Sequence, residues 1–311
     1  MAYELKAINK QLRSDQKAFA QSCEAVFDNR IRRAGALIRA NMETSPIVLL
    51  SGPSGSGKTT TAKKLERELL RSGVRAHTVS LDHYFKTLDP LTAPRTPSGE
   101  IDFESPNILD LPLLDEHFTA LSAGHEILIP HFSFSIQRRN DEKVTPMRLA
   151  PDEVAIFEGI HALNDQIADR HPGAFKLYIS ARSDIYDSGR VIFKGTWTRL
   201  LRRVTRDRLF RNTSLRETLA MWDTVRRGEK LYISPFKDNA DFILNSSLAY
   251  EVALMKGFTQ QLRDELDPEN PRYAEFCDLA DALPAFGDFL QENCPPDSIL
   301  REFIGGGTFK Y

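Results

Sequence analysis

Residues 46–51 form a short run of mostly apolar side chains, and the next eight residues are Gly52, Pro53, Ser54, Gly55, Ser56, Gly57, Lys58 and Thr59. A continuous apolar run of this length is the mark of a strand buried on both faces, and such strands belong to parallel sheets covered by helices. The eight residues satisfy G-x-x-x-x-G-K-[ST], in which glycines let the backbone bend until consecutive N–H groups point inward. Over residues 60–71, Ala62, Leu65, Leu69 and Leu70 recur at helical spacing, and Gly73 stands where a terminating glycine belongs. A strand, a glycine turn and a helix N-terminus together make an anion cradle. Lys58 can neutralise the outer phosphates of a nucleoside triphosphate, and the Thr59 hydroxyl can bind Mg²⁺. The expected ligands are therefore ATP and Mg²⁺, on a loop that extends to Thr60.

The rest of the chain continues the strand–helix alternation. Residues 74–81, 153–157, 175–179 and 241–244 read as further strands, and 111–121, 198–211, 214–227 and 248–265 as helices. Residues 86–100, rich in Pro, Thr and Gly, read as a loop. Alternation of this kind predicts an α/β fold, a three-layer sandwich around a parallel sheet. Residues 3–43 are expected to form an N-terminal amphipathic helix, with Phe27, Ile31, Ala34, Leu37 and Ile38 on its apolar face. The expected organisation is an N-terminal helical segment (1–45), a nucleotide-binding domain (46–266) with a lid at about 199–230, and a C-terminal helical tail (267–311), helical over roughly 273–292.

Composition narrows the function. The formal net charge is −2, so no global basic field draws nucleic acid or an anionic membrane. Three cysteines without metal-ligand spacing suit a reducing compartment. Residues 1–13 mix charged and apolar side chains, and no apolar stretch reaches the roughly 18–20 residues of a membrane span. A cytoplasmic protein with no nucleic-acid or membrane partner is expected; a homo-oligomer is left open.

Three further features carry chemistry. Asp82 closes the second strand, and strand C-termini face the ligand crevice of a parallel sheet. There it can accept a proton from an attacking hydroxyl and help hold a metal; on position alone it equally suits a helix or turn cap. Glu158 ends an apolar run, as an acid that holds a Mg²⁺-bound water would, or as a plain strand-terminal acid. Arg199, Arg203 and Arg206 recur at spacings that share a helical face, either to neutralise a moving phosphoryl group from a lid or to pair with Asp207 and Glu217 in solvent.

Together these segments resemble the uridine kinase and phosphoribulokinase family. The resemblance rests on GPSGSGKT (52–59), SLDHYF (80–85), IDFESPN (101–107), FEGIHALN (157–164) and RLLRRVTRD (199–207), in family order over residues 46–250. In EGIHALN, in residues 221–229 and in the 298–306 tail, the chain resembles the bacterial uridine kinase-like branch. The resemblance implies that Asp82 is the catalytic aspartate, and that Lys58 and Thr59 bind phosphate and Mg²⁺ with Glu158 near the metal. It implies that Arg203 and Arg206 meet the transferring phosphate. It places Tyr84, Phe103, Glu104, Phe132 and Arg139 in the acceptor pocket.

The chain departs from uridine kinases where base and ribose are read: Glu104 replaces an aspartate, and Phe132 and Gln137 replace a tyrosine and a histidine. The expected activity is transfer of the ATP γ-phosphate to a hydroxyl of a small, nucleoside-like molecule. The alternatives are another acceptor (pantothenate, glycerate, or a sugar phosphate held by Arg138 and Arg139) and an ATP-binding regulator without transfer. The residues do not distinguish ATP from GTP or assign a role to Gly305, Gly306 and Gly307.

Overall fold

The computed structural model describes residues 2–259 and 262–310. The chain enters through β1 (Tyr3–Glu4) and two helices, α1 (Leu5–Ser14) and α2 (Gln16–Asn41). The single helix expected here is broken at Asp15. Its backbone is extended (φ −152°, ψ 101°) and its carboxylate accepts from Ala18 N, which makes it the N-cap of α2. Next come β2 (Ile47–Ser51), α3 (Lys58–Arg71) and β3 (Arg75–Ser80). A 3₁₀ turn over Leu81–Tyr84 and a long loop lead to α4 (Leu111–Ser122). A hairpin follows, β4 (Ile127–Ser133) and β5 (Arg138–Met147), and then β6 (Glu153–Glu158), α5 (Asp165–Ala168) and β7 (Phe175–Ser180). Two short strands, β8 (Ile185–Asp187) and β9 (Arg190–Phe193), join β1 in a three-stranded patch. Two helices follow, α6 (Gly195–Phe210) and α7 (Leu215–Tyr232), over the stretch expected to form a lid. The chain ends with β10 (Phe242–Asn245), α8 (Glu251–Lys256), α9 (Tyr273–Ala282) and α10 (Arg301–Ile304).

The central sheet runs β10-β7-β2-β6-β3, and every pair in it is parallel. All residues of β2 and β6 are buried, because helices or the hairpin cover both faces. Val48 and Leu50 pack on one side with α2, α3 and α8; Ile47 and Leu49 pack on the other with α4 and the hairpin. This period of two is what a pleated strand imposes. The C-terminal Ile299, Leu300 and Phe303 belong to the same core layer as Val48 and Leu50, and so do Leu5 and Ile8.

Two expected helices are shorter than their patterns. α8 stops at Lys256, before Gly257. α9 stops at Ala282, because Pro284 lacks the N–H that would continue it. Among the described residues no helix is long and apolar enough to cross a membrane.

Candidate active site

Parallel packing sends the C-termini of β2, β3 and β6 to one edge, and each delivers a candidate residue there. Beyond β2 the glycine loop turns into α3, and Gly57 takes φ 87°, a conformation that favours glycine. The Lys58 ammonium folds back onto the Gly52 carbonyl at 3.0 Å. From behind, the buried Arg202 guanidinium on α6 donates to the Gly55 and Ser56 carbonyls at 3.2 and 3.3 Å, and its Nε donates to Glu251 at 2.8 Å. Thr59 is half-buried in the first turn of α3, and the Thr60 N–H and hydroxyl both donate to Glu302, at 3.1 and 2.6 Å.

At the end of β3, the Ser80 hydroxyl accepts from Asp82 N at 3.3 Å and fixes the turn. Asp82 lines the cleft and is exposed at its surface. The surrounding protein raises its pKa, and Lys58 and Arg211 oppose the shift. Glu158 lies in register with Ser80 on one side and Leu50 on the other. Burial pushes its carboxyl up to about 7; Lys58 opposes this, while the negative charges of Asp82 and Glu302 reinforce it. Two crowded acids beside a lysine and a threonine suit Mg²⁺, which keeps most of its water and takes only one or two protein carboxylates with its phosphates. Among the described residues no cluster of three or more His, Cys, Asp or Glu forms an all-protein metal cage.

Beside this edge lies a cavity of about 710 Å³. Ser54 of the glycine loop, Asp82 and Arg203 of α6 line it. Arg203 also donates to the Ser54 hydroxyl at 3.1 Å. Glu104 lines the cavity with its carboxyl pushed up to about 7, mainly by burial; Arg203 offsets the shift and Glu229 adds to it. Part of the lining is aromatic. Phe85, Phe132 and Phe134 meet edge-to-face with centroids 5.2–5.8 Å apart, and Phe103 completes the lining. The loop carrying Phe103 and Glu104 is tied to α7 through the buried Asp102, which accepts from Arg227 at 2.6 Å and the Tyr232 hydroxyl at 2.9 Å.

The structure thus gathers Ser54, Asp82, Phe103, Glu104, Phe132 and Arg203 around one cavity, with Lys58, Thr59 and Glu158 beside it. Three expected residues stand elsewhere. Tyr84 is fully buried under the 3₁₀ turn, bonded to His117 Nδ1 at 2.9 Å and packed on Phe157, so it does not line the cavity. The Arg139 guanidinium turns away from the cavity to Asp110 at 2.6 Å. Arg206 pairs with Asp207 at 3.0 Å. Glu217 instead closes a capping box with Ser214. Sequence reading missed the Arg202 prop, the Asp102 tie and the Glu302 contact. It also missed Glu229, a buried acid that pairs with Arg199 and Arg226 and lines the cavity.

Residues 47–253 match the family model described as Phosphoribulokinase / Uridine kinase family. A uridine kinase of Staphylococcus haemolyticus (strain JCSC1435) is 28% identical over 217 residues, covering 68% of this chain and 93% of that protein. Among solved structures, a possible uridine kinase from Bacillus stearothermophilus is 18% identical with a TM-score of 0.44, covering 70% of this chain and 98% of that one. A D-glycerate 3-kinase from Cryptococcus neoformans is 15% identical with a TM-score of 0.33, covering 85% and 89%.

Proposed function

Because the chain belongs to the phosphoribulokinase/uridine kinase family and is a small-molecule kinase of P-loop type, we propose that it transfers the γ-phosphate of MgATP to a hydroxyl of an uncharged, nucleoside-like acceptor. The observation that carries this reading is that Ser54, Asp82, Arg203 and Glu104 line one cavity together with an aromatic cluster. The glycine loop, residues 52–60, holds the phosphates. Lys58 leaves the Gly52 carbonyl to meet the outer two. Thr59, Glu158 and Asp82 hold Mg²⁺, which supplies neutralisation of phosphate charge.

The acceptor lies with its hydroxyl on Asp82, which orients it and takes its proton. Arg203 faces the transferring group, and neutralising charge there is the main work in phosphoryl transfer. Arg206 stays on Asp207 and supports Arg203, which the same carboxylate pairs with. Lid closure excludes water, which limits hydrolysis of ATP. Glu104 takes neighbouring hydroxyls of the acceptor, and Phe85, Phe132 and Phe134 take its flat body. A phosphorylated acceptor is less well served. Arg139 is committed to Asp110, and the cations lining the cavity are Lys86 and Arg203, the second needed for transfer.

The test is phosphate transfer from ATP across a panel of nucleosides, pantothenate, glycerate and sugar phosphates, with Asp82→Asn as control. We expect a nucleoside to be phosphorylated, and Asp82→Asn to lower kcat at least about 100-fold while still binding MgATP. Undiminished transfer by Asp82→Asn would falsify the catalytic assignment, and transfer only to a sugar phosphate overturns the acceptor.

A further inference from the structure

The C-terminal segment enters the phosphate cradle. One carboxylate oxygen of Glu302 accepts both the Thr60 N–H (3.1 Å) and the Thr60 hydroxyl (2.6 Å), from 242 residues away. The Thr60 N–H belongs to the first turn of α3, where N–H groups have no partner within the helix and are aimed at whatever anion the loop binds. In a loop of this pattern those groups receive nucleotide phosphates. A carboxylate seated there is a stand-in for one of them.

Neighbouring contacts show that Glu302 is placed rather than adventitious. A Cβ on Gly57, at the tip of the loop, would lie 2.6 Å from Ile299 Cγ1, so the segment packs directly on the cradle. Phe303 is fully buried beneath Arg202, the residue that props the loop. Arg301 closes the segment on itself by donating to the carbonyls of Gly305 and Gln291. Gly305 approaches Phe210 at the end of helix α6. The core side chains Ile299, Leu300 and Phe303 are anchored, whereas Glu302 is only half-buried and can rotate away without unpacking them.

We propose that the C-terminal segment is part of the nucleotide site, with Glu302 as an internal anion that the phosphates of the nucleotide displace on binding. The proposal rests on residues 52–60 being a nucleotide site. Two negative groups do not share one donor set, so the ligand-free contact lowers apparent nucleotide affinity by the fraction of molecules that hold it. The same contact ties the segment to α3 and stabilises the empty protein. Competition therefore has a double signature: removing the carboxylate weakens the empty fold while strengthening nucleotide binding. A residue of purely structural use would show only the first effect.

The experiment is calorimetric titration of MgATP, without acceptor, into wild type, Glu302→Ala and Glu302→Gln, with thermal unfolding of each ligand-free protein. We expect Glu302→Ala to melt lower than wild type yet bind MgATP about tenfold more tightly, with Glu302→Gln between them, since neutral hydrogen bonds are weaker than charge-assisted ones. Binding that is unchanged or weaker in both variants, with wild type binding MgATP normally, overturns the displacement model and leaves the nucleotide site standing. Folded proteins that bind no MgATP in all three forms overturn the nucleotide site itself, and the displacement model with it.

Discussion

Gly228 of α7 faces Glu104 so closely that a Cβ on the glycine would lie 2.8 Å from Glu104 Oε2. Helix α7 therefore backs the cavity that Glu104 lines, and only a residue without a side chain lets Glu104 sit where it does. Gly228→Ala improves helix propensity by roughly 1 kcal/mol, but its Cβ would also collide with Glu104 Cβ and Cγ, so the main chain carrying Glu104 must shift with its carboxylate. We expect the acceptor KM to rise about tenfold while the Kd for MgATP stays within twofold, because the phosphate loop is untouched. Steady-state kinetics with a separate nucleotide titration checks this.

Glu104 also gives the protein a pH signature. Burial lifts its carboxyl from the usual 4.5 to about 7, with Arg203 and Arg227 opposing and Glu229 and Asp102 reinforcing. A carboxyl with a raised folded pKa contributes stability that is fully present below its unfolded pKa and is lost as pH rises through its folded pKa. Between about pH 4.5 and 7 the wild type should lose thermal stability relative to Glu104→Gln, most of it by pH 8. Acceptor binding should move the opposite way. The ionised carboxylate accepts stronger hydrogen bonds from hydroxyls, so KM should fall as pH rises from 6 to 8 in wild type and stay flat in Glu104→Gln.

What the sequence reveals is what local rules determine. The strand, glycine loop and helix of residues 46–71 are legible because apolar run, turn chemistry and helical spacing all fall within one short window. Asp82 is legible because a parallel sheet sends strand ends to one edge. The aromatic wall is not, because it depends on the β4–β5 hairpin, where Pro130, Pro146 and the charged residues of 138–143 obscure strand alternation. Tyr84 sits two residues from Asp82, yet the 3₁₀ turn rotates it into the core. Arg202 and Arg203 are neighbours about 100° apart around α6; packing alone makes the first a fully buried prop and the second a cavity residue. The contact between Thr60 and Glu302 has no local signal at all.

Arg202 carries a prediction about folding. Its guanidinium is fully buried against a buried Glu251, and it also holds the carbonyls of Gly55 and Ser56. Removing one member of such a pair strands the other charge, at a cost of about 3–5 kcal/mol. Arg202→Met should lower the urea midpoint accordingly. Adding Glu251→Gln should recover part of the loss, because the stranded carboxylate is then neutral. If the double variant is no more stable than the single one, the cost lies in the released loop carbonyls and not in the charge.

The two lid arginines implied by the family resemblance should separate in kinetics. Arg203 lines the cavity and touches Ser54, whereas Arg206 is held on Asp207, which also binds Arg203 at 3.3 Å. Charge neutralisation by a positioned arginine is worth 10³ or more in phosphoryl transfer, so Arg203→Ala should lower kcat by about 10²–10³-fold with only a few-fold change in either KM. Arg206→Ala should lower kcat about tenfold, through the loosened Asp207 that positions Arg203. Equal losses in both variants, in single-turnover assays that isolate the chemical step, would mean that lid closure brings Arg206 off Asp207 and onto the phosphate before transfer.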